Sequence, residues 1–381
     1  MPSVAAVVRR FGAAYLARYH AAMLPSHRRA LRDLAACRTA ALGGHVTQCD
    51  ACGAEHYVFH SCRNRSCPTC HGTVTAIWLA AREAELLPVP YFHVVFTLPS
   101  ALRDVVRSHQ RVLLHTLMTT AAEAWQALAR DPHYVGGTLG ILAVLHTWTR
   151  ALIYHPHVHC LVPAGALAPI AAAPNASGHT LPWRPARGTF LVPVRALSVR
   201  FRARFLARLR RVLPNVTVPP QVWQQPWVVY CKPTVQGSAL VLRYLARYVH
   251  RVAISDARIR TITAEQVTFT YKDAERQQWR TMTLSGMEFL QRFLQHVLPR
   301  GFHKVRYYGL WRPAAAALRT ELQQQLAAPL GTRPLLAVVR ESVDPTTAPR
   351  LARCTRCGRG TLHWVRPLPR LRVALTAGVP P

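Results

Sequence analysis

Hydrophobic positions near the start of the chain follow a helical spacing, except in residues 37–72. Arg and Leu recur every three or four positions up to Leu34, which predicts one or two helices within residues 1–36. Residues 37–72 show no long periodic run and are rich in Cys, His, Gly and Asn. Because this segment cannot bury a large apolar face, something other than a hydrophobic core must hold it. Residues 74–87 again have a helical composition, and the prolines that follow end this helix.

A strand pattern begins after these prolines. Residues 92–98, Phe-His-Val-Val-Phe-Thr-Leu, alternate in character and are rich in β-branched and aromatic residues. A broken helix is predicted over residues 101–129. Further strands are predicted at 137–148, 157–162, 227–230 and 266–271, and further helices at 238–252 and 288–298. Strands and helices interleaved in this way favour an α+β fold.

The composition suggests three regions. Residues 1–88 form a helical and cysteine-rich domain, and residues 89–315 form the α+β domain. Within the latter, residues 165–220 are rich in Ala, Pro and Arg, which predicts an insertion or a mobile connection. Residues 316–381 are basic and proline-rich, and we expect a partly disordered tail with a lone Cys-x-x-Cys.

The net charge points to a polyanionic partner. The chain carries 48 Lys and Arg against 16 Asp and Glu, a formal charge of +32. Nucleic acid is the first candidate, because neutralised phosphates release counterions, and a membrane surface is the second. No uninterrupted apolar run reaches the roughly 18 residues of a membrane span, so none is expected. Clustered cysteines suit metal binding rather than disulfides, which favours the reducing cytoplasm.

Two Cys-x-x-Cys pairs predict a structural zinc site. They are Cys49-Asp-Ala-Cys52 and Cys67-Pro-Thr-Cys70, with 14 residues between them. Each such turn points two thiolates at one ion, and two turns complete the tetrahedral four-sulfur shell that structural zinc prefers. The alternative, four ordinary buried cysteines, does not account for the paired spacing.

Several neighbours of these pairs leave alternatives open. Further residues could replace one ligand or form a second site: Cys37, His45, Cys62 and His71. Arg63 and Arg65, beside the second pair, either contact DNA or belong to a solvated turn. The pair Cys354-Thr-Arg-Cys357 is half a site, which either borrows His363 or binds nothing.

A histidine pair supplies a second candidate metal site. In the sequence Tyr-His-Pro-His-Val-His-Cys, residues 154–160, His157 and His159 are two apart. Residues two apart on a strand share a face, so both imidazoles can coordinate one cation. A His-x-His pattern alone is a weak signal, since most such pairs are ordinary core or surface histidines.

A tyrosine pair about 85 residues later strengthens the catalytic interpretation. On the predicted helix, Leu242, Leu245 and Val249 form an apolar stripe, whereas Tyr244 and Tyr248 share a different face. The adjacent arginines are Arg247 and Arg251. Tyrosines beside cations are suited to attack a phosphodiester, provided that a metal polarises the phosphoryl oxygens. The alternative is two helix-face aromatics without a chemical role.

These motifs resemble those of the rolling-circle transposases of the insertion sequence 91 family. Residues 156–162, Pro-His-Val-His-Cys-Leu-Val, resemble the family's HUH motif, and residues 244–255 resemble its tyrosine motif. The cysteine-rich stretches 37–45 and 61–70 resemble its N-terminal zinc-binding domain. Residues 92–99 and 305–309 also fit, so the likeness covers most of residues 10–312.

The resemblance implies an HUH-endonuclease-like antiparallel sheet flanked by helices, after an N-terminal helical and zinc-knuckle domain. It implies single-strand DNA cleavage that leaves a 5′-phosphotyrosine and a free 3′-hydroxyl. Tyr248 and Tyr244 would be the nucleophiles, in an order left open. Mg²⁺ or Mn²⁺ would bind His157 and His159, with His146 as the candidate third ligand and Gln, Glu or another His still open.

The resemblance also implies the partner and the place of action. The partner is DNA, chiefly single-stranded element ends and target, in the nucleoid of the cytoplasm. The DNA-binding candidates are Arg247, Arg251, Arg243, Arg63 and Arg65.

Other functions share part of this pattern. A plasmid rolling-circle replication initiator or a conjugative relaxase uses the same nick-and-join chemistry, although the zinc knuckles favour a transposase. A basic zinc-containing nucleic-acid-binding protein without catalysis is the alternative from a different class. A two-metal carboxylate nuclease is disfavoured, because acidic residues are few and none cluster near the histidines.

Overall fold

The computed structural model describes residues 2–169, 181–186, 191–234, 238–249, 253–273, 276–327 and 353–371. Its helices are α1 (Val4–Tyr19), α2 (Pro25–Ala35), α3 (Gly72–Glu83), α4 (Arg103–Ser108), α5 (Gln110–Ala129), α6 (Val194–Val212), α7 (Gln221–Gln224), α8 (Ser238–Val249), α9 (Gly286–Leu294) and α10 (Ala316–Ala327). Its strands are β1 (Gly44–Cys49), β2 (Glu55–Phe59), β3 (Tyr91–Thr97), β4 (Gly140–Trp148), β5 (Tyr154–Pro163), β6 (Gly165–Leu167), β7 (Trp183–Pro185), β8 (Val229–Pro233), β9 (Ile259–Ile262), β10 (Gln266–Lys272), β11 (Trp279–Ser285), β12 (Val305–Gly309) and β13 (Leu362–Leu368).

The chain divides into two compact units. The first unit consists of residues 1–72, 254–297 and 335–381, and the second of residues 73–253 and 298–334. The expected continuous domain 89–315 includes parts of both units, because residues 254–297 group with the N-terminal region. Composition along the chain could not reveal a unit assembled from three separate stretches.

A five-stranded antiparallel sheet forms the centre of the second unit. Its strand order is β12-β4-β5-β3-β8. Every residue of β4 is buried, which requires cover on both faces of the sheet. The expected α+β class, with an antiparallel sheet flanked by helices, is therefore confirmed.

One face of this sheet packs against α5 and α6. The ring of Phe96 on β3 lies 5.1 Å from that of Phe201 on α6 and 6.0 Å from that of Trp125 on α5, centroid to centroid. Both α5 and α6 contribute many fully buried residues to this core. Residues 165–220, for which the sequence predicts an insertion or a mobile connection, thus include the core helix Val194–Val212. Its many arginines occupy the outer positions and obscured the apolar stripe.

The opposite face of the sheet packs against α8. The apolar residues of α8 that are buried there are Leu242, Leu245 and Val249. They pack against a group of sheet and loop residues: Leu142 and Val144 of β4, and Tyr91, Leu161 and Trp311. The apolar stripe predicted for this helix is therefore confirmed as its sheet-facing side. The side chains at positions 238, 240, 244, 247 and 248 lie outside the described part of the chain.

In the first unit, a three-stranded antiparallel sheet joins distant parts of the chain, in the order β13-β1-β2.

Helix α1 begins at the N-cap Ser3, whose hydroxyl accepts the Ala6 N–H, and α2 begins with Pro25. Two stretches of the tail that the sequence predicts to be partly disordered are ordered. Residues 316–327 form α10, and residues 362–368 form β13, the partner of β1.

A second three-stranded sheet of the first unit, β11-β10-β9, leads into α9. The Ser285 hydroxyl caps α9 by accepting the Glu288 N–H. Gly286, its first residue, lies against the Phe11 ring of α1 so closely that an added Cβ would stand 2.3 Å from ring carbons. Asp256 accepts the Val4 N–H at 2.8 Å and the Thr69 hydroxyl at 2.6 Å, which links three segments of this unit.

None of the helices in the described ranges combines the length with the apolar composition that crossing a bilayer requires.

Candidate functional site

Three histidines of the second unit form a compact nitrogen cluster. His146 lies on β4, and His157 and His159 lie on β5, with one ring nitrogen from each within 4.8 Å of the others. The ring centroids are 4.2 Å apart for His146 and His159, and 4.9 Å apart for His157 and His159. His146 and His159 are buried and His157 is half-buried. The sheet therefore brings all three histidines expected from the sequence to one point.

The antiparallel register explains this convergence. His146 pairs directly with His157 across β4 and β5. Because side chains alternate along a strand, His146 shares its face with Leu142 and Val144, and His157 and His159 share theirs with Leu161. Those apolar residues pack against α8. The histidine cluster and α8 consequently lie on the same face of the sheet.

Hydrogen bonds fix the orientation of two of the rings. His157 Nδ1 lies 2.6 Å from the His155 carbonyl oxygen, which can only accept, so Nδ1 carries the proton. The Nε2 lone pair of His157 is then available to a cation. His159 Nδ1 lies 2.8 Å from His93 Nε2 on β3, which engages this nitrogen and leaves Nε2 of His159 as its ligand atom.

Burial keeps the cluster uncharged at neutral pH. Desolvation lowers the pKa of His157 to about 4 and lowers the pKa of His146 and His159 well below their usual value. The charges of neighbouring histidines lower the pKa of His146 and His159 further. Neutral imidazoles have lone pairs to offer a metal. A set of three imidazoles suits a transition-series divalent cation better than Mg²⁺, which prefers oxygen ligands.

The residues expected as nucleophiles lie on α8. Positions 244 and 248 belong to this helix, but their side chains and that of Arg247 are outside the described residues, as is the whole of Arg251. Of the expected DNA contacts on this helix, Arg243 is described. Its exposed guanidinium donates to Glu83 Oε1 at 3.0 Å.

Sequence reasoning missed His93 as a member of this site. Burial lowers its pKa to about 4, and its ring stacks on His159 with the planes 5° apart. A signal was present, since His93 interrupts an otherwise apolar and hydroxyl-bearing strand. That signal could be interpreted only once the register of β3 against β5 was known. With Val95 opposite His159, His93 lies beside the histidine cluster.

The cysteines form two clusters instead of the single expected shell. The first cluster consists of four residues: Cys37, Cys62, Cys67 and Cys70. Cys37 Sγ lies 3.7 Å from Cys67 Sγ and 3.4 Å from Cys70 Sγ. Hydrogen bonds from Cys62 and Cys67 lower the pKa of Cys37 to about 7. Cys37 and Cys62, which the sequence left unranked, thus complete the site of the Cys67 and Cys70 pair.

The second cluster consists of Cys49, Cys52, Cys354 and Cys357. The prediction that Cys49 and Cys52 share one ion with Cys67 and Cys70 is therefore wrong. The pair at 354 and 357 is not alone, and it does not borrow His363, whose Nε2 lies 3.2 Å from Asp50 Oδ2. Backbone N–H groups, first that of Gly360, lower the pKa of Cys357 to about 6.

The two arginines beside the first cluster are solvent-accessible. Arg63 is exposed, and its φ of 50° lies in the left-handed region. Arg65 is half-buried. Their positions leave the expected contact with DNA untested.

A basic cleft of about 1000 Å³ lies in the second unit between α5, α6 and the segment around β12. The cationic residues that line it are Arg111, Arg208, Arg211, Arg306 and Arg312, and His115 and His303 are also present. No acidic residue is among the lining residues that the structure describes. Such a cleft concentrates positive potential where an extended polyanion could lie.

Comparison with known proteins gives two family matches. A family described as "Putative transposase" matches residues 140–318, and one described as "Transposase zinc-binding domain" matches residues 7–98. The first match includes the histidine cluster and α8, and the second includes six of the eight clustered cysteines.

Two relatives extend the similarity along the chain. "Putative transposase y4qJ" of Sinorhizobium fredii (strain NBRC 101917 / NGR234) is 37% identical over 387 residues, covering 95% of this chain and 94% of the relative. "Transposase for insertion sequence element IS801" of Pseudomonas savastanoi pv. phaseolicola is 29% identical, covering 72% of this chain and 67% of the relative. No solved structure matches the chain.

Proposed function

The chain belongs to the insertion sequence 91 family of transposases, and on that basis we propose that it nicks and rejoins single-stranded DNA at element ends. The reaction is rolling-circle transposition through a 5′-phosphotyrosine intermediate and depends on a divalent metal. It takes place on DNA in the nucleoid of the cytoplasm.

The observation that carries this proposal is the shared sheet face. The cluster of His146, His157 and His159 lies on the side of the five-stranded sheet that packs against α8. Helix α8 carries positions 244 and 248, which are four residues apart and so lie one helical turn from each other. One secondary-structure element thus supplies both proposed nucleophiles on the metal-binding side of the sheet.

The three histidines would hold Mn²⁺, or Mg²⁺ with water as additional ligands. When bound, the cation polarises the phosphoryl oxygens of the scissile phosphate. His157 and His159 contribute their Nε2 atoms, and the His155 carbonyl and His93 orient these rings. Desolvation of the three rings lowers their pKa values and so keeps the ligand nitrogens unprotonated near pH 7.

The tyrosine of the first step forms a bond to phosphorus as the bond from phosphorus to the 3′-oxygen breaks. Its phenol loses a proton, and the departing 3′-oxygen gains one. In the second step a 3′-hydroxyl attacks the phosphotyrosine, which restores the phenol and joins the strands. Tyr248 and Tyr244 provide two such nucleophiles, so one can hold a cleaved end while the other acts.

Arginines would position the DNA without reading its sequence. Arg243, Arg247 and Arg251 belong to the tyrosine region, and Arg63 and Arg65 to the first cysteine cluster. The basic cleft of the second unit adds a larger phosphate-binding surface, since several guanidinium groups line it and its described lining includes no acidic group. Structural zinc at Cys37, Cys62, Cys67 and Cys70 would hold the segment that carries Arg63 and Arg65.

The test is covalent capture. Purified protein, Mn²⁺ and a 3′-labelled single-stranded oligonucleotide carrying the element end are incubated and separated under denaturing conditions. We expect a labelled protein band with the unaltered chain and with Tyr57→Phe, a control at an exposed tyrosine on β2. Tyr244→Phe combined with Tyr248→Phe should abolish the band, as should His157→Ala combined with His159→Ala, while oligonucleotide binding remains.

The outcomes separate the candidate functions. A band that survives the double tyrosine substitution would overturn the proposed nucleophiles. An unaltered chain that binds the oligonucleotide but never forms the band would support a non-catalytic zinc-containing nucleic-acid-binding protein. Specific nicking at a plasmid replication or transfer origin, and none at element ends, would support a replication initiator or a relaxase.

A further inference from the structure

The second cysteine cluster joins two turns that lie about 300 positions apart in the chain. Cys49 Sγ is 3.7 Å from Cys357 Sγ, and Cys52 Sγ is 3.8 Å from Cys354 Sγ. These separations are far longer than a disulfide bond of about 2 Å. They match the sulfur–sulfur distance of about 3.8 Å that a tetrahedral zinc with bonds of about 2.3 Å requires.

The two turns have the same local construction. Each is Cys-x-x-Cys-Gly, and the glycine N–H donates to the carbonyl oxygen of the first cysteine, at 3.0 Å for Gly53 and 2.9 Å for Gly358. Both glycines adopt a positive φ, 68° and 70°. This conformation favours glycine and lets each chain turn back after presenting two sulfurs. A matched pair of such turns is the arrangement of a closed four-cysteine zinc site.

Contacts around the cluster lock the turns together. Asp50 Oδ1 accepts the Thr361 N–H at 2.8 Å, and the Asp50 N–H donates to the Thr361 carbonyl at 3.1 Å. Gly360 lies so close to the first turn that an added Cβ would stand 2.2 Å from Cys49 Sγ. Directly beyond these contacts, β13 pairs with β1 from Leu362 opposite Cys49 onward.

We propose that Cys49, Cys52, Cys354 and Cys357 bind a second structural zinc ion, which fastens the C-terminal strand β13 to the N-terminal sheet. The site is separate from the Cys37, Cys62, Cys67 and Cys70 cluster. It extends beyond the matched zinc-binding domain of residues 7–98, which contains only two of its four ligands. His56 Nε2, 3.2 Å from Cys354 Sγ, donates a hydrogen bond to the thiolate and orients it.

Cobalt substitution of the full chain counts the thiolate sites. Thiolate-to-Co²⁺ charge-transfer absorption reports cysteine ligands and excludes any ion held by the three histidines. We expect the absorption of the unaltered chain to fall by about half in Cys354→Ser combined with Cys357→Ser. Cys231→Ser, which alters a cysteine outside both clusters, should leave it unchanged. Equal absorption in the double variant and the unaltered chain would overturn the proposal.

Three milder variants keep the test decisive if the double variant folds poorly. Cys357→His retains a zinc ligand, so in a chain whose three-histidine site is removed by His157→Ala combined with His159→Ala we expect it to bind two zinc ions, one for each cysteine cluster. Cys357→Ser should bind one zinc ion tightly and the other more weakly. Gly360→Val removes no ligand but forces the turns apart, so it should also weaken one site. Unchanged zinc affinity in Cys357→Ser and Gly360→Val would contradict the assignment.

Hydrogen exchange tests the fastening role itself. In the double cysteine variant, amides of Leu362–Leu368 should exchange faster, whereas amides of Gly140–Trp148 in the second unit should keep their protection. Unchanged protection of Leu362–Leu368 after loss of the second ion would show that zinc does not hold this strand. Nicking activity is not needed for any of these readouts, so their results do not depend on the proposed transposase chemistry.

Discussion

His93 Nε2 lies 2.8 Å from His159 Nδ1, and the two rings stack with centroids 5.1 Å apart. Two imidazoles joined in this way share one proton between them, whichever ring carries it. The contact holds the His159 ring in one orientation on a sheet face where two further imidazoles converge. His93 is therefore a positioning residue for the proposed metal-binding cluster.

Replacing His93 should weaken the metal site without removing a ligand. His93→Phe keeps the ring volume but offers no hydrogen bond, and we expect Mn²⁺ affinity to fall by about 10- to 100-fold. His93→Gln retains a polar partner and should recover part of this affinity. Titration of Mn²⁺ with each variant gives the comparison. Equal affinity in His93→Phe and the unaltered chain would exclude the positioning role.

Removing arginines from the basic cleft should weaken DNA binding in a salt-dependent way. Arg211→Ala combined with Arg306→Ala removes two cleft guanidiniums. The slope of log affinity against log salt should become shallower by about 0.7 for each phosphate of single-stranded DNA that the protein no longer neutralises. Arg200→Ala, on α6 but outside this cleft, is the matched control. A slope that is equal in all three proteins would place the DNA elsewhere.

DNA binding in this cleft should strengthen as the pH falls. Desolvation lowers the pKa of His115, and the charges of Arg306 and Arg208 lower it further, whereas the charge of Glu123 raises it. A bound phosphate favours the protonated ring, so binding raises this pKa and takes up a proton. Affinity measured from pH 8 to pH 5 should therefore rise toward low pH, and His115→Gln should flatten the rise. A steeper rise in the variant would contradict this assignment.

Helix α6 should contribute strongly to stability. Phe201 is fully buried between Phe96, Phe205 and Trp227. We expect Phe201→Ala to reduce the free energy of unfolding by about 3–5 kcal/mol, because apolar burial decreases and a cavity is left behind. Val199→Ala, at a position on the same helix that is 52% exposed, should change it by about 0.5 kcal/mol or less. Urea denaturation measures both; a similar effect of the two substitutions would mean that α6 is not part of the core.

Local patterns predicted much of the fold. The alternation in residues 92–98 and the stripe of Leu242, Leu245 and Val249 both correspond to elements that pack as expected. These signals suffice because strand and helix periodicity is a property of neighbouring residues. Helix α6 was missed because seven of its 19 positions are arginine, so its mean polarity concealed the buried positions 197, 201, 205 and 209.

The sites were predictable only as far as their ligands are close in sequence. His157 and His159 are two residues apart and could be paired on the basis of strand geometry alone. Cys49 and Cys357 could not be paired in this way, because local spacing does not indicate which Cys-x-x-Cys turn lies against which other turn. The repeated Cys-x-x-Cys-Gly pattern at 49–53 and 354–358 was the available signal, and it gained meaning once β13 was seen to pair with β1.

The antiparallel pairing of β13 with β1 also sets an order for biosynthesis. During translation, Cys49 and Cys52 leave the ribosome some 300 residues before Cys354 and Cys357. The N-terminal turn therefore lacks its partner, with two thiols open to oxidation or to other metals, until Cys354 and Cys357 have emerged. A copy of the gene interrupted by a late stop codon would produce a protein with this turn permanently unmatched, even if every residue of the histidine cluster were intact.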